Sequence, residues 1–104
     1  MKIESQVDTE SRTKTFSIEG ELDVHHVKAL KAQVLDALET GTWTYLIDMA
    51  KIGYLDSSGL GMLVYLKKEI LRKEGKLVII NLTEPVMNVF KLTKLDEFFA
   101  IDSA

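Results

Sequence analysis

The residues with the clearest chemical potential lie in one short segment, positions 56–62, whose sequence is Asp-Ser-Ser-Gly-Leu-Gly-Met. At the start of a helix the first backbone N–H groups are unpaired and the helix dipole is positive. A serine there can cap the helix, and the same position can hold a phosphate. Inside a helix, Gly59 and Gly61 would each lower the stability of that helix by about 1 kcal/mol relative to alanine. They also remove side chains from the first turn, which lets another backbone or a nucleotide phosphate approach.

Two interpretations of this segment are open on residue types alone. In the first, it is a plain helix start, with Ser57 or Asp56 as the cap and the glycines serving helix–sheet packing. In the second, a partner protein approaches an exposed hydroxyl. Every residue from 60 to 66 except Gly61 is apolar, whereas a surface helix buries a single stripe. This surplus is explained either by burial between neighbouring helices or by a partner-binding patch that includes Met62.

Other catalytic and metal chemistry has weaker support in the sequence. A serine hydrolase using Ser57 would lack the first glycine of the Gly-x-Ser-x-Gly motif, and only folding could bring His25 or His26 close as its base. The two histidines have neither the i+4 spacing nor the third ligand that a metal site requires. The chain has no cysteine and no Gly-x-x-x-x-Gly-Lys-Ser/Thr motif, which excludes thiolate catalysis and a P-loop.

The composition predicts one ordinary globular domain, residues 1–104. A formal net charge of −3 and a pI near 5.3 argue against a general nucleic-acid binder, which needs a basic stripe. The N-terminus lacks the apolar core of a secretory signal, and no run approaches the ~18 apolar residues of a membrane span. We therefore expect a cytoplasmic protein that binds neither nucleic acid nor membrane.

The first half of the chain predicts a hairpin followed by a helix. Residues 3–7 alternate weakly as a strand, and residues 15–18 form a second strand that ends at Gly20. Asp23 is expected to cap the helix, and Gly41 to end it. The inner face of this helix is expected to carry apolar residues at spacings of three and four, namely Val24, Val27, Leu30, Val34 and Leu38.

The second half alternates strands with helices. Residues 43–49 are apolar with few polar interruptions, as in a strand covered on both faces. A helix is expected from position 57 to about 74, then a buried strand at 77–82 and a third helix from Pro85. The chain closes with an apolar tail that packs as a short strand or a last helix, comprising Leu95, Phe98, Phe99 and Ile101.

This order predicts an α/β fold with a mixed, mostly parallel sheet of about four to five strands and helices packed against it. Sites in such sheets lie outside the carboxyl ends of the strands. Because the strand at 43–49 leads directly into segment 56–62, the serines are expected at an exposed corner between a strand and a helix.

Three blocks of the sequence resemble the STAS-domain anti-sigma factor antagonist family. Residues 55–61, Leu-Asp-Ser-Ser-Gly-Leu-Gly, resemble the phosphorylation loop of those proteins. Residues 20–23, Gly-Glu-Leu-Asp, resemble the turn before their first helix, and residues 89–95 resemble their Leu-Phe-x-x-x-Gly-Leu segment. The blocks occur in the right order with matching spacing, over nearly the whole chain. Lys94 departs from the pattern, because the family usually has glycine there.

The resemblance implies a non-enzymatic switch in the control of transcription. Unmodified, such an antagonist binds an anti-sigma factor that is also a serine kinase of the GHKL type, and a sigma factor is released. The kinase uses its own ATP and Mg²⁺ to phosphorylate the antagonist, which dissociates, and a PP2C-type phosphatase resets it. The antagonist itself needs no cofactor or metal, and a monomer is expected when it is free.

By position, the resemblance makes Ser57 the phosphate acceptor, with Ser58 as the alternative. Asp56 would contact the kinase or position the acceptor hydroxyl. The residues expected to contact the partner are Asp23, Asp56, Ser57, Ser58, Gly59, Leu60, Gly61 and Met62. An alternative role is a STAS subunit of a signalling scaffold or of a lipid-transport ATPase complex.

Overall fold

Strands and helices alternate along the chain in the predicted order. The structure, a computed structural model, describes residues 1–102. Its elements are β1 (Lys2–Asp8), β2 (Thr13–Leu22), α1 (Val27–Ala37), β3 (Thr44–Leu55), α2 (Ser57–Arg72), β4 (Lys76–Ile80), α3 (Glu84–Leu92) and β5 (Ala100–Asp102). Among these described residues, no helix is both long and apolar enough to cross a membrane.

The five strands form one sheet whose spatial order is the chain order, β1-β2-β3-β4-β5. β1 and β2 are antiparallel, and every other neighbouring pair is parallel. Each parallel pair needs a crossover connection, which α1, α2 and α3 supply in turn. The predicted α/β class and the mixed, mostly parallel sheet are confirmed.

The helices pack on one face of this sheet. In the first part of β3, the residues at 45, 47 and 49 are buried, whereas those at 44, 46 and 48 are only half-buried. The buried side chains of all three helices belong to the same core cluster as the buried strand residues. The expectation of a strand covered on both faces is therefore wrong, because successive side chains point to opposite faces and only one face is covered.

Helix α1 begins at Val27, four residues beyond the predicted cap Asp23, and its N-cap is His26. The Asp23 carbonyl accepts the N–H groups of both His26 and Val27 at 3.0 Å, and its carboxylate accepts the N–H of His25 at 3.0 Å. These bonds close a separate turn ahead of the helix. The predicted cap is therefore wrong, and Val24 lies outside the helix and exposed rather than on its inner face.

The end of α1 is set by a contact with β2. The helix ends at Ala37, ahead of the predicted stop at Gly41, and Leu38 is already extended. The Ala37 carbonyl accepts a hydrogen bond from Nζ of the buried Lys14, whose ammonium also pairs with Glu39. A residue from another element thus satisfies a carbonyl group at the helix end, which local sequence could not show.

The apolar tail completes the sheet. β5 pairs in parallel with β4, so the strand alternative for the tail is confirmed. Phe99 is buried and meets Phe90 of α3 edge-to-face, with ring centroids 5.6 Å apart. Just after α3, Lys94 has a φ of 60°, the left-handed conformation that glycine adopts most easily.

Candidate functional site

The predicted corner between strand and helix is formed by Asp56. β3 ends at Leu55, and Asp56 is the N-cap of α2, with an extended backbone. Its Oδ1 accepts the N–H of Gly59 at 3.0 Å, and its carbonyl accepts the N–H of Leu60 at 3.0 Å. Of the two cap residues considered from the sequence, Asp56 is the one that acts, which leaves Ser57 at the first position of the helix.

Asp56 also ties the turn before α1 to the start of α2. Its Oδ2 accepts the backbone N–H of Val24 at 3.2 Å, and its own N–H donates to the Leu22 carbonyl at 3.3 Å. One carboxylate therefore holds two segments that lie more than thirty residues apart in sequence. This explains how Asp23 and Asp56, predicted on separate motifs, come to lie at the same edge of the sheet.

The two serines differ in exposure. Ser57 is exposed, and Ser58 is half-buried. Within residues 1–102, neither hydroxyl forms a hydrogen bond with another side chain or backbone group. The Ser57 hydroxyl is thus presented to solvent at the positive end of a 16-residue helix.

The two glycines of the first turns have different surroundings. Gly59 is buried, and a Cβ built there would lie 2.4 Å from the carbonyl oxygen of Leu22, which is too close for any side chain. Gly61 is exposed, and a Cβ there would meet nothing within 4 Å. Helix–strand packing therefore accounts for Gly59, whereas the domain's own packing gives no reason for Gly61.

Of the two explanations for the surplus apolar residues, burial by the domain itself holds for Leu60 and Met62, so these two side chains do not form an exposed patch. They are 8% and 7% exposed, because they join Leu63 and Leu66 in the core cluster between the sheet and α1. The surplus apolar residues of this helix are thus covered mainly by the domain itself.

The segments around this corner match a known family. The family model described as the STAS domain matches residues 4–104. The chain belongs to the STAS domain family. This STAS domain is 24% identical over 102 residues to the anti-sigma-B factor antagonist of Staphylococcus aureus (strain NCTC 8325 / PS 47), covering 98% of this chain and 94% of that protein.

Solved structures agree on the fold. The anti-sigma-factor antagonist (STAS) domain protein of Planctomyces limnophilus is similar with a TM-score of 0.84 and 20% identity, over 98% of this chain and 89% of that one. The anti-sigma factor antagonist SpoIIAA in its unphosphorylated form gives a TM-score of 0.76 and 21% identity, over 98% and 89%. SpoIIAA of Bacillus in its phosphorylated form gives a TM-score of 0.69 and 20% identity, over 98% of this chain and 92% of that one.

Carboxylates surround the corner of the STAS domain. Glu21, near the end of β2, pairs across the sheet with Tyr54, Asp23 lies in the turn that follows β2, and Asp56 caps α2. Desolvation by burial opposes the charged form of Asp23, but the N–H of His25 and the neighbouring His26 imidazole outweigh it and lower the pKa of this carboxyl from 3.8. Nδ1 of His26 is 2.8 Å from Oδ1 of Asp23.

In the part of the STAS domain that the structure describes, no group of three or more His, Asp or Glu side chains is arranged to hold a metal ion.

Two exposed apolar side chains near the corner, Val24 and Tyr54, were missed from the sequence, whereas Tyr65 belongs to the run 60–66 whose surplus apolar surface the sequence indicated. Val24 is 59% exposed, Tyr54 52% and Tyr65 38%. Strand alternation could have indicated Tyr54, because its neighbour Leu55 points into the core. Val24 was missed because its spacing fitted a helix that begins only three residues later.

Proposed function

We propose that this STAS domain is an anti-sigma factor antagonist that is inactivated by phosphorylation of Ser57. The observation that carries the proposal is the exposed Ser57 hydroxyl at the first position of α2, beside the capping Asp56. Support also comes from the S. aureus relative, named an anti-sigma-B factor antagonist, and from SpoIIAA, whose similar fold has been solved with and without phosphate.

The proposed cycle has a binding step and two chemical steps. The unmodified domain binds an anti-sigma factor, a serine kinase of the GHKL type, and a sigma factor is released. With the kinase's ATP and Mg²⁺, the Ser57 oxygen attacks the γ-phosphorus, the bond to ADP breaks, and the hydroxyl proton passes to a base of the kinase. A PP2C-type phosphatase then hydrolyses the phosphate ester and restores binding.

The difference in exposure favours Ser57 over Ser58 as the acceptor. The kinase has to bring the γ-phosphorus within bonding distance of the hydroxyl oxygen, which requires open space in front of that oxygen. Ser57 is exposed, whereas Ser58 is partly covered by its own domain. Phosphorylation of Ser58 would therefore need a local rearrangement that phosphorylation of Ser57 does not.

The surroundings of Ser57 explain why a phosphate would act as an off switch. It would add about −1.5 to −2 charge next to the Asp56 carboxylate. The favourable interaction of the phosphate with the N-terminus of α2 would contribute only about 0.3–1 kcal/mol. A desolvated like charge with added bulk in an interface would cost about 3 kcal/mol, close to a hundredfold in affinity. The phosphorylated domain should therefore stay folded and lose its partner.

The test begins with a pull-down by the unphosphorylated domain from the cells that make it. The ATPase-fold kinase that it recovers is incubated with the domain, ATP and Mg²⁺, and mass spectrometry locates the phosphate. Wild type and Ser58→Ala should be phosphorylated on residue 57, and Ser57→Ala should not. The kinase should bind Ser57→Asp about a hundredfold more weakly than wild type.

Two results would contradict the proposal. One is phosphorylation of Ser57→Ala at the wild-type rate, which would place the acceptor elsewhere. The other is equal affinity of the kinase for the wild-type domain, Ser57→Asp and the phosphorylated domain. Recovery of a scaffold or lipid-transport ATPase without kinase activity would favour the alternative role of the domain.

A further inference from the structure

Three residues of α2 form an exposed row that starts at the phosphate acceptor. Ser57, Gly61 and Tyr65 are spaced at i, i+4 and i+8, which places them along one ridge of the helix. All three are exposed, and the open space over Gly61 makes a notch between the hydroxyl and the ring. The α2 ridge, as we name these three residues, extends about 12 Å along the helix axis.

The tyrosine at the far end of the α2 ridge is oriented by the neighbouring helix. Nζ of Lys31 on α1 lies 4.3 Å from the centroid of the Tyr65 ring, a cation–π contact. Tyr65 is 38% exposed, and no hydrogen bond within residues 1–102 uses its hydroxyl. A tyrosine hydroxyl usually gains a hydrogen-bond partner when an interface buries it. Because Lys31 lies over one face of the Tyr65 ring and limits its motion, the ring loses little conformational entropy on binding, which makes it a good anchor for a partner.

An interface of ordinary size that is centred on Ser57 would be large enough to include the Tyr65 ring. A standard interface covers about 800 Å² on each partner, equivalent to a disc with a radius of about 16 Å. A kinase centred on the Ser57 oxygen would therefore cover a residue that lies about 12 Å along the same ridge. The open space over Gly61 would let the kinase backbone lie against the helix.

We infer that the α2 ridge, with Lys31, is a docking surface for the kinase and that Tyr65 is its anchor. This inference rests on the proposed function, because the occupant is the kinase that phosphorylates Ser57. Leu60 and Met62 then contribute indirectly, by fixing the helix against the core. The notch at Gly61 gives this glycine the role that the domain's own packing does not.

Steady-state phosphorylation by the kinase recovered above separates docking from chemistry. Tyr65→Ala should raise the KM for the domain about tenfold and leave kcat within about twofold, because the ring anchors the complex away from the reacting oxygen. Gly61→Ala should also raise KM, because its methyl group fills the notch. Circular dichroism and urea denaturation confirm that each variant is folded.

Leu71→Ala is the matched control. Leu71 is another exposed apolar side chain of α2, about 21 Å along the axis from Ser57 and outside the expected footprint. The kinase should have the same KM for the Leu71→Ala domain as for the wild-type domain. An equal rise in KM for Leu71→Ala and Tyr65→Ala would overturn the inference, since the effect would not be local.

The remaining outcomes distinguish the inference from the proposed function. If the wild type is phosphorylated on Ser57 and Tyr65→Ala has the same KM, the docking surface is overturned and the proposed function stands. If no kinase phosphorylates the wild type, the proposed function fails and the docking surface fails with it.

Discussion

Alanine at position 61 is expected to make the domain more stable than the natural glycine does. Gly61 lies inside α2 with a φ outside the left-handed region, and an added Cβ would meet no atom within 4 Å. Alanine would therefore keep the backbone and remove the conformational cost of glycine, a gain of about 1 kcal/mol. For a domain near 100 residues this raises Tm by roughly 4–8 °C.

The same substitution two residues earlier should have the opposite effect. At Gly59 the added Cβ would lie 2.4 Å from the Leu22 carbonyl oxygen and 3.0 Å from Cδ1 of Leu55. Because the first of these atoms is backbone, α2 would have to move away from β2. Overpacking of this kind costs about 1–3 kcal/mol, so the two variants should differ by about 2–4 kcal/mol in the free energy of unfolding.

Urea denaturation, followed by the fluorescence of the buried Trp43 and by circular dichroism, measures this difference. We expect Gly61→Ala to unfold at higher urea than wild type, and Gly59→Ala at lower urea, with equal m-values. A Gly61→Ala variant less stable than Gly59→Ala, or a Gly59→Ala variant as stable as wild type, would refute this prediction. Since Gly61→Ala should gain stability, a loss of kinase binding in that variant would come from the surface and not from unfolding.

Two further substitutions test the surroundings of the site and of the third helix. Lys94→Gly should raise the free energy of unfolding by about 1 kcal/mol in urea denaturation, because Lys94 has a φ of 60°, a conformation that glycine adopts more easily than lysine. Lys91→Gly, inside α3, is the control and should lower the free energy of unfolding by a similar amount. The opposite order of stability would contradict this prediction. Asp23→Asn tests the lowered pKa of that carboxyl. Because the folded state favours the charged carboxylate, Asp23 stabilises the fold. This stabilisation is complete above the ordinary pKa of 3.8 and is lost as the pH falls through the lower pKa of the folded state. Urea denaturation at pH 6 should therefore show that wild type is more stable than Asp23→Asn, and the difference in the free energy of unfolding should be smaller at pH 2.5. A difference that does not change with pH would contradict this prediction.

Most elements could be predicted because local patterns specify them. The alternation at residues 3–7, the apolar run at 77–82 and Pro85 at a helix start each involve neighbours in the chain, and a strand or helix lies at each place. The fold class followed from their order, because parallel strands joined by helices have few possible arrangements.

Two of the errors involve contacts between segments that are distant in sequence. The predicted cap at Asp23 was wrong because its carbonyl and carboxylate close a turn that Asp56 then fastens through the Val24 N–H. The predicted end of the first helix was wrong because Lys14, on another strand, binds the carbonyl of Ala37. Neither the bond from the Val24 N–H to Asp56 nor the bond from Lys14 to the Ala37 carbonyl can be predicted from the spacing of nearby residues.

A helix start beside Ser57 was predictable from the sequence, because the capping bond from Asp56 reaches only three residues along the chain. Which side of that helix meets solvent depends on the tertiary structure. Leu60 and Met62 are as apolar as their neighbours, yet they are covered while Tyr65 stays exposed. That choice depends on how α2 lies against the sheet and α1, through contacts between residues far apart in sequence, and periodicity within one helix does not specify them.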